Sequence, residues 1–133
     1  ILPVDKDGTV TLVRQFRYPF GRMMLEAPAG KLERGEDPYE AAVRELSEET
    51  GLSAGRIVKL GALCTSPGFS TEVLHLYLAL DLVSGKSHPD EDEFLNVEKL
   101  PLSDLVERVM SGEIDDAKTV AVALKAEKFL SQN

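Results

Sequence analysis

The order of apolar patterns along the chain predicts an α/β or α+β fold. Three observations carry that expectation. β-Branched apolar runs open the chain, one sharply bounded helical stretch follows residue 37, and alternating runs resume before two further helical stretches close the sequence. The 133 residues suit one domain with one core, and the apolar fraction of 43% is ordinary for a globular protein.

Residues 1–4 and 9–16 read as strands, and Asp5-Lys6-Asp7-Gly8 between them ends in an Asp-Gly pair suited to a hairpin turn. Arg14 and Arg17 punctuate the second run. As residues alone they read as edge-strand charges that discourage aggregation, although a guanidinium also matches phosphate oxygens geometrically. Residues 23–27 are a short strand leading into Pro28-Ala29-Gly30, where Gly30 either turns the chain or lets backbone approach a ligand. The next helix has firm boundaries: Asp37 as N-cap, Pro38 at the first helical position and Gly51 as the stop. Residues 57–65 form a strand with partial alternation, in which Cys64 reads as a small buried apolar residue.

Pro67-Gly68 with flanking serines is turn chemistry. Residues 73–82 make a clear strand with Leu74, Leu76, Leu78, Leu80 and Leu82 on one face and Val73, His75, Tyr77, Ala79 and Asp81 on the other. His75 reads as a packed strand residue and His88 as a solvated one in the polar loop that follows. Asp90-Glu91-Asp92-Glu93 is an acidic run before a strand beginning at Phe94. Residues 102–111 form an amphipathic helix with Ser103 or Asp104 near its start. Asp115 or Asp116 caps a last helix through about Leu130, in which Val120, Val122, Ala123 and Leu124 pack and the lysines face water. The sequence shows no internal repeat, linker or low-complexity segment.

The charges on the first helix need an explanation. At roughly 100° per residue Glu45, Glu48 and Glu49 share one face. Like charges at that spacing repel, and Glu48 and Glu49 stand in the last turn, where the macrodipole favours cations. A solvated acidic face is the bland reading. Local conflicts of this kind tend to mark functional sites, and clustered carboxylates suit a hard divalent cation.

The spacing decides between the two. Gly30, Glu36, Arg44, Glu45, Leu46, Glu48, Glu49, Gly51 and Leu52 fill every defined position of the pattern G-x5-E-x7-R-E-U-x-E-E-x-G-U, with U a bulky aliphatic. This stretch resembles the Nudix box of the Nudix hydrolases. Two further stretches resemble the ADP-ribose pyrophosphatase branch of that family: Arg14-Gln15-Phe16-Arg17-Tyr18-Pro19 and the Ser66-to-Glu72 loop, with Pro67 at the position associated with ADP-ribose selectivity.

The resemblance implies an α/β/α sandwich on a mixed β-sheet and metal-dependent hydrolysis of a nucleoside diphosphate joined to another group. With ADP-ribose the products are AMP and ribose 5-phosphate. By the same resemblance Glu45 and Glu49 are primary ligands of Mg²⁺ or Mn²⁺. Glu48 is a further or outer ligand, and the carbonyl of Ala29 completes the shell. Arg44 orients the carboxylates and Glu36 supports them. Arg14, Arg17, Gly68 and Glu72 border the substrate, Glu72 on the terminal ribose. Glu91, and after it Glu93, is the general base. Residues 1–133 form one such domain, expected to lack the family's N-terminal strands, in a cytoplasmic homodimer.

Composition narrows the partners. A net charge of −8 argues against non-specific nucleic-acid binding and against an anionic membrane surface. Cys64 is the one cysteine, so no internal disulfide forms, which is compatible with a reducing cytosol. No apolar run approaches the ~20 residues of a membrane span; the small-molecule nucleotide expected as partner is what the family resemblance implies.

Overall fold

A computed structural model describes residues 1–85 and 96–132. In chain order they form β1 (Leu2–Pro3), β2 (Thr9–Arg17), a 3₁₀ turn (Tyr18–Phe20), β3 (Arg22–Glu26), α1 (Pro38–Thr50), β4 (Leu52–Cys64), β5 (Val73–Ser84), β6 (Val97–Pro101), α2 (Leu102–Met110) and α3 (Ala117–Ser131).

The strands make two three-stranded sheets. One is mixed, in the order β1-β5-β4, with β1 parallel to β5 and β4 antiparallel to it. The other is antiparallel, in the order β3-β2-β6. The expected turn at Asp5–Gly8 is present: Asp5 N–H donates to Thr9 O, and Gly8 has φ +86°. It does not open a hairpin, however. After one bridge, Val4 to Val10, the flanking segments join different sheets, because β1 finds its partner on β5.

Two clusters of buried side chains set the layers. The larger gathers Leu12 and Val10 of β2, Leu78 and Leu76 of β5, Leu105 of α2 and Val122 and Ala126 of α3. The smaller joins Leu46 of α1 to Tyr77 and Ala79 of β5 and Leu52 of β4. Strand β5 therefore feeds α1 through one face and α3 through the other, as the expected sandwich requires. That is why its residues 76–79 are all buried.

Three expectations need correction. β4 begins directly after Gly51, not at residue 57. It is an edge strand whose first residues, Leu52-Ser53-Ala54-Gly55-Arg56, put only Leu52 and the small Ala54 on the core side, too short an alternation to announce a strand. Leu82 does not share a face with Leu76–Leu80; like Ala54 and Ile57 it packs against the cluster of Leu46, Leu52, Tyr77 and Ala79 on the α1 side. Asp81, with φ +52°, reverses the alternation opposite Gly55, where a Cβ on the glycine would stand 3.1 Å from Asp81 Cβ. Cys64 is exposed at the end of β4. No helix among the described residues is long and apolar enough to cross a membrane.

Candidate active site

Helix α1 is fixed at both ends by the residues that foretold it. The Asp37 carboxylate accepts from Tyr39 N–H at 3.0 Å and Glu40 N–H at 3.3 Å, Pro38 follows, and Gly51 closes the helix at φ +74°. Leu46 and Ala41 anchor the buried face. Glu45 and Glu49 are thereby carried, one turn apart, toward the irregular strap of residues 27–30. Ala29 N–H donates to Glu49 Oε1 at 3.1 Å. Gly30 lies so close to Glu45 that a Cβ built on it would overlap the carboxyl group.

Arg44 gathers the neighbouring acids. Its guanidinium donates to both oxygens of Glu36 (2.9 and 3.0 Å), to Glu45 Oε1 (2.8 Å), to Glu48 Oε2 (3.2 Å) and to the carbonyl of Lys31 (3.3 Å). The Arg44 guanidinium, with the Glu33 N–H, holds the Glu36 carboxyl down at about 2. Arg44 is in turn kept firmly protonated, first by Glu36 and then by Glu45. Glu49 is displaced the other way: burial, with the nearby charge of Glu45, raises its pKa above the ordinary carboxylate value.

The three glutamates expected to converge do not all do so. Among the described residues no three His, Cys, Asp or Glu side chains come together closely enough to hold a metal ion. Glu48 is 58% exposed and drawn to Arg44, while Glu49 turns to a backbone N–H. Mutually repelling carboxylates disperse onto whatever donors lie within reach. The donor set still fits a hard dication. It is all oxygen, and Glu49 is destabilised as an anion by burial beside Glu45. The glycine that lets the strap close on Glu45 suits the same role.

A cavity of about 350 Å³ opens beside Glu45. Its lining includes Gly30 and Lys31, Ala41 and Ala42 of α1, Glu72 and, from α3, Lys118. Of the residues expected near substrate, Glu72 is in this wall, its carboxylate accepting from Thr65 Oγ1 at 2.7 Å. Gly68 is exposed in the turn and does not line the cavity. Arg17 is committed to Glu26, donating at 2.7 and 2.6 Å. Arg14 pairs with Glu98 of β6 and lines a separate cavity of about 230 Å³ with Arg22 and Arg108. Glu91 and Glu93 lie outside the described residues.

Sequence reasoning missed Glu26 and Lys118. Lys118 does not face water like the other lysines expected to; it is 18% exposed and donates to Glu26 Oε1 at 2.7 Å. Burial alone would raise the pKa of Glu26, but Arg17 and Lys118 outweigh it and hold the carboxyl below its ordinary value. The available signal was a lone acid at the end of the apolar run Met23-Met24-Leu25.

The acid-faced helix, packed on a mixed sheet beside a backbone strap and a cavity, lies within the stretch that the NUDIX domain covers. That family's model matches residues 1–122, and the chain belongs to the family. It is 46% identical over 121 residues to the ADP-ribose pyrophosphatase of Bacillus subtilis (strain 168), across 90% of this chain and 65% of that protein. It is 38% identical over 122 residues to the methanol dehydrogenase activator of Bacillus methanolicus, across 90% of this chain and 66% of the relative. To the GDP-mannose pyrophosphatase of Yersinia enterocolitica it is 36% identical over 123 residues, across 86% of this chain and 64% of the relative. The chain thus spans 64% to 66% of the length of these curated relatives. A crystal structure described as an ADP compounds hydrolase superimposes with a TM-score of 0.83 at 26% identity, over 98% of this chain and 71% of that one.

Proposed function

We propose that the protein hydrolyses the diphosphate bond of ADP-ribose or a related nucleotide sugar, releasing AMP and a sugar phosphate, with Mg²⁺ or Mn²⁺ as cofactor. One observation carries the reading: Glu45 and Glu49, on a single helix face, meet the Ala29–Gly30 backbone beside a cavity that Glu45 and Glu72 both line. Relatives whose names specify ADP-ribose and GDP-mannose support a nucleotide-sugar substrate.

Glu45, Glu49 and the Ala29 carbonyl would hold the cation, with Glu48 outside them. When bound it neutralises diphosphate charge and acidifies water. Arg44 fixes the direction of Glu45 while Glu36 neutralises the excess charge of the guanidinium. Glu72 orients the sugar end through its carboxylate, and Arg14, Arg17 and Gly68 border the substrate more distantly. A carboxylate from outside the described residues, Glu91 or else Glu93, takes a proton from water as its oxygen attacks phosphorus. The bridging P–O bond breaks and its electron pair leaves with the second phosphate. We further propose, from the family resemblance, that residues 1–133 are one catalytic domain acting as a cytoplasmic homodimer.

The test is release of the nucleoside monophosphate, AMP from ADP-ribose and ADP-glucose and GMP from GDP-mannose, with Mg²⁺ and with chelator. Substitution of groups that only support a metal's ligands costs ~10–100-fold, so Glu49→Gln is expected to cost at least about 100-fold with the circular dichroism spectrum retained. Turnover of Glu49→Gln near wild type would refute the ligand assignment. The relative named an activator favours a second reading, a module that binds ADP-ribose to regulate another protein. Binding without AMP release in Mg²⁺ would select it.

A further inference from the structure

The strap of residues 27–30 belongs to no helix or strand, yet its placement decides how its backbone meets Glu45 and Glu49. It is held from the start of α3. Thr119, fully buried, accepts from Ala27 N–H through Oγ1 at 2.9 Å, and the same hydroxyl donates to Asp116 Oδ2 at 2.5 Å. The hydroxyl spends its one proton on Asp116, which leaves a lone pair directed at Ala27. Lys118 bridges Asp116 Oδ2 (3.0 Å) and Glu26 Oε1 (2.7 Å), and Glu26, 1% exposed, is the residue just before the strap. Arg17 closes the network on both oxygens of Glu26. The far end of the strap is the Ala29 N–H bonded to Glu49.

A buried ionic network of this kind adds little net stability over apolar packing of the same volume. What it does supply is geometry, because each member has one set of partners and one orientation. We infer that Asp116, Lys118, Thr119 and Glu26 form a clamp that sets the 27–30 strap against Glu45 and Glu49. They are positioning residues: Thr119 bonds the strap and Glu26 precedes it, while Asp116 and Lys118 act on it through those two. The inference rests on the proposed role of Glu45 and Glu49 as ligand carboxylates.

The test compares Thr119→Val, which keeps shape and removes the hydroxyl, with Thr119→Ser, which keeps the hydroxyl. Amide hydrogen exchange at Ala29, two residues beyond the broken bond, is read by NMR without metal. Mn²⁺ binding is read by electron paramagnetic resonance of the free ion. In Thr119→Val, Ala29 exchange is expected to speed up and Mn²⁺ affinity and kcat to fall by about tenfold or more, the range for groups that orient ligands. KM is expected to stay within about twofold, and Thr119→Ser to behave as wild type. A folded Thr119→Val with Ala29 exchange and Mn²⁺ affinity unchanged overturns the clamp, as does a Thr119→Ser as impaired as Thr119→Val. Should Thr119→Val not fold, the double variant Glu26→Gln/Lys118→Met removes both charges together and is judged by the same Ala29 readout. Wild-type protein that protects Ala29 but releases no nucleoside monophosphate from any nucleotide sugar overturns the proposed function, while the exchange comparison still decides the clamp.

Discussion

Gly30 shows most directly how one residue shapes the site. Its missing side chain is the space that the Glu45 carboxyl occupies. Gly30→Ala would push aside the end of a flexible side chain, not backbone, so the fold should survive while the carboxylate moves. A displacement of about 1 Å at a catalytic group can cost ~10²-fold, so kcat is expected to drop on that order with the melting temperature nearly unchanged. A large loss of stability instead would show that Gly30 serves the turn and not the site. Arg44 is the complementary case, a cation placed to keep Glu36, Glu45 and Glu48 from repelling one another.

Among the elements, α1 carries the chemistry and its caps hold it. Asp37→Ala removes the acceptor of two N–H groups and is expected to cost about 1 kcal/mol, or roughly 4 °C in thermal unfolding. Because the cap lies two turns from Glu45, kcat with saturating metal should stay close to wild type; a parallel collapse of kcat would mean that the helix start moves with the site. Strand β5 shows what an element can conceal. Its alternation was legible from Val73 to Leu80, but Asp81 at φ +52° sends Leu82 to the opposite face. A single positive φ at a non-glycine residue leaves no mark in a hydrophobic pattern.

For the whole molecule, the acid response follows from carboxylates tied to arginines. Glu26, Glu36 and Glu98 all have lowered pKa values in the folded protein. A group lowered on folding contributes stability that is present above its unfolded value and disappears as pH falls through its folded value. For Glu36 that window runs from 4.5 down to about 2. Glu49, raised on folding, acts with the opposite sign. Urea midpoints of wild type and Glu36→Gln should therefore differ by a constant amount above pH 4.5 and converge toward pH 2. A gap that widened in acid would contradict the Arg44–Glu36 pairing.

The linear chain alone determined the helix with its caps, the acidic face and the family, because capping and helical periodicity are local rules written in residues a few positions apart. It also placed Arg44 among the acids it serves, since they lie on the same helix or just before it. Tertiary structure alone decided that Arg17 and Lys118 close on Glu26, that Thr119 holds Ala27, and that Gly68 stays clear of the cavity while Glu72 reaches it. Lys118 and Glu26 are 92 positions apart and share no periodicity. Their pairing exists because sheet and helix bring both charges to one place, where Lys118 joins Arg17 in offsetting the buried Glu26 carboxylate.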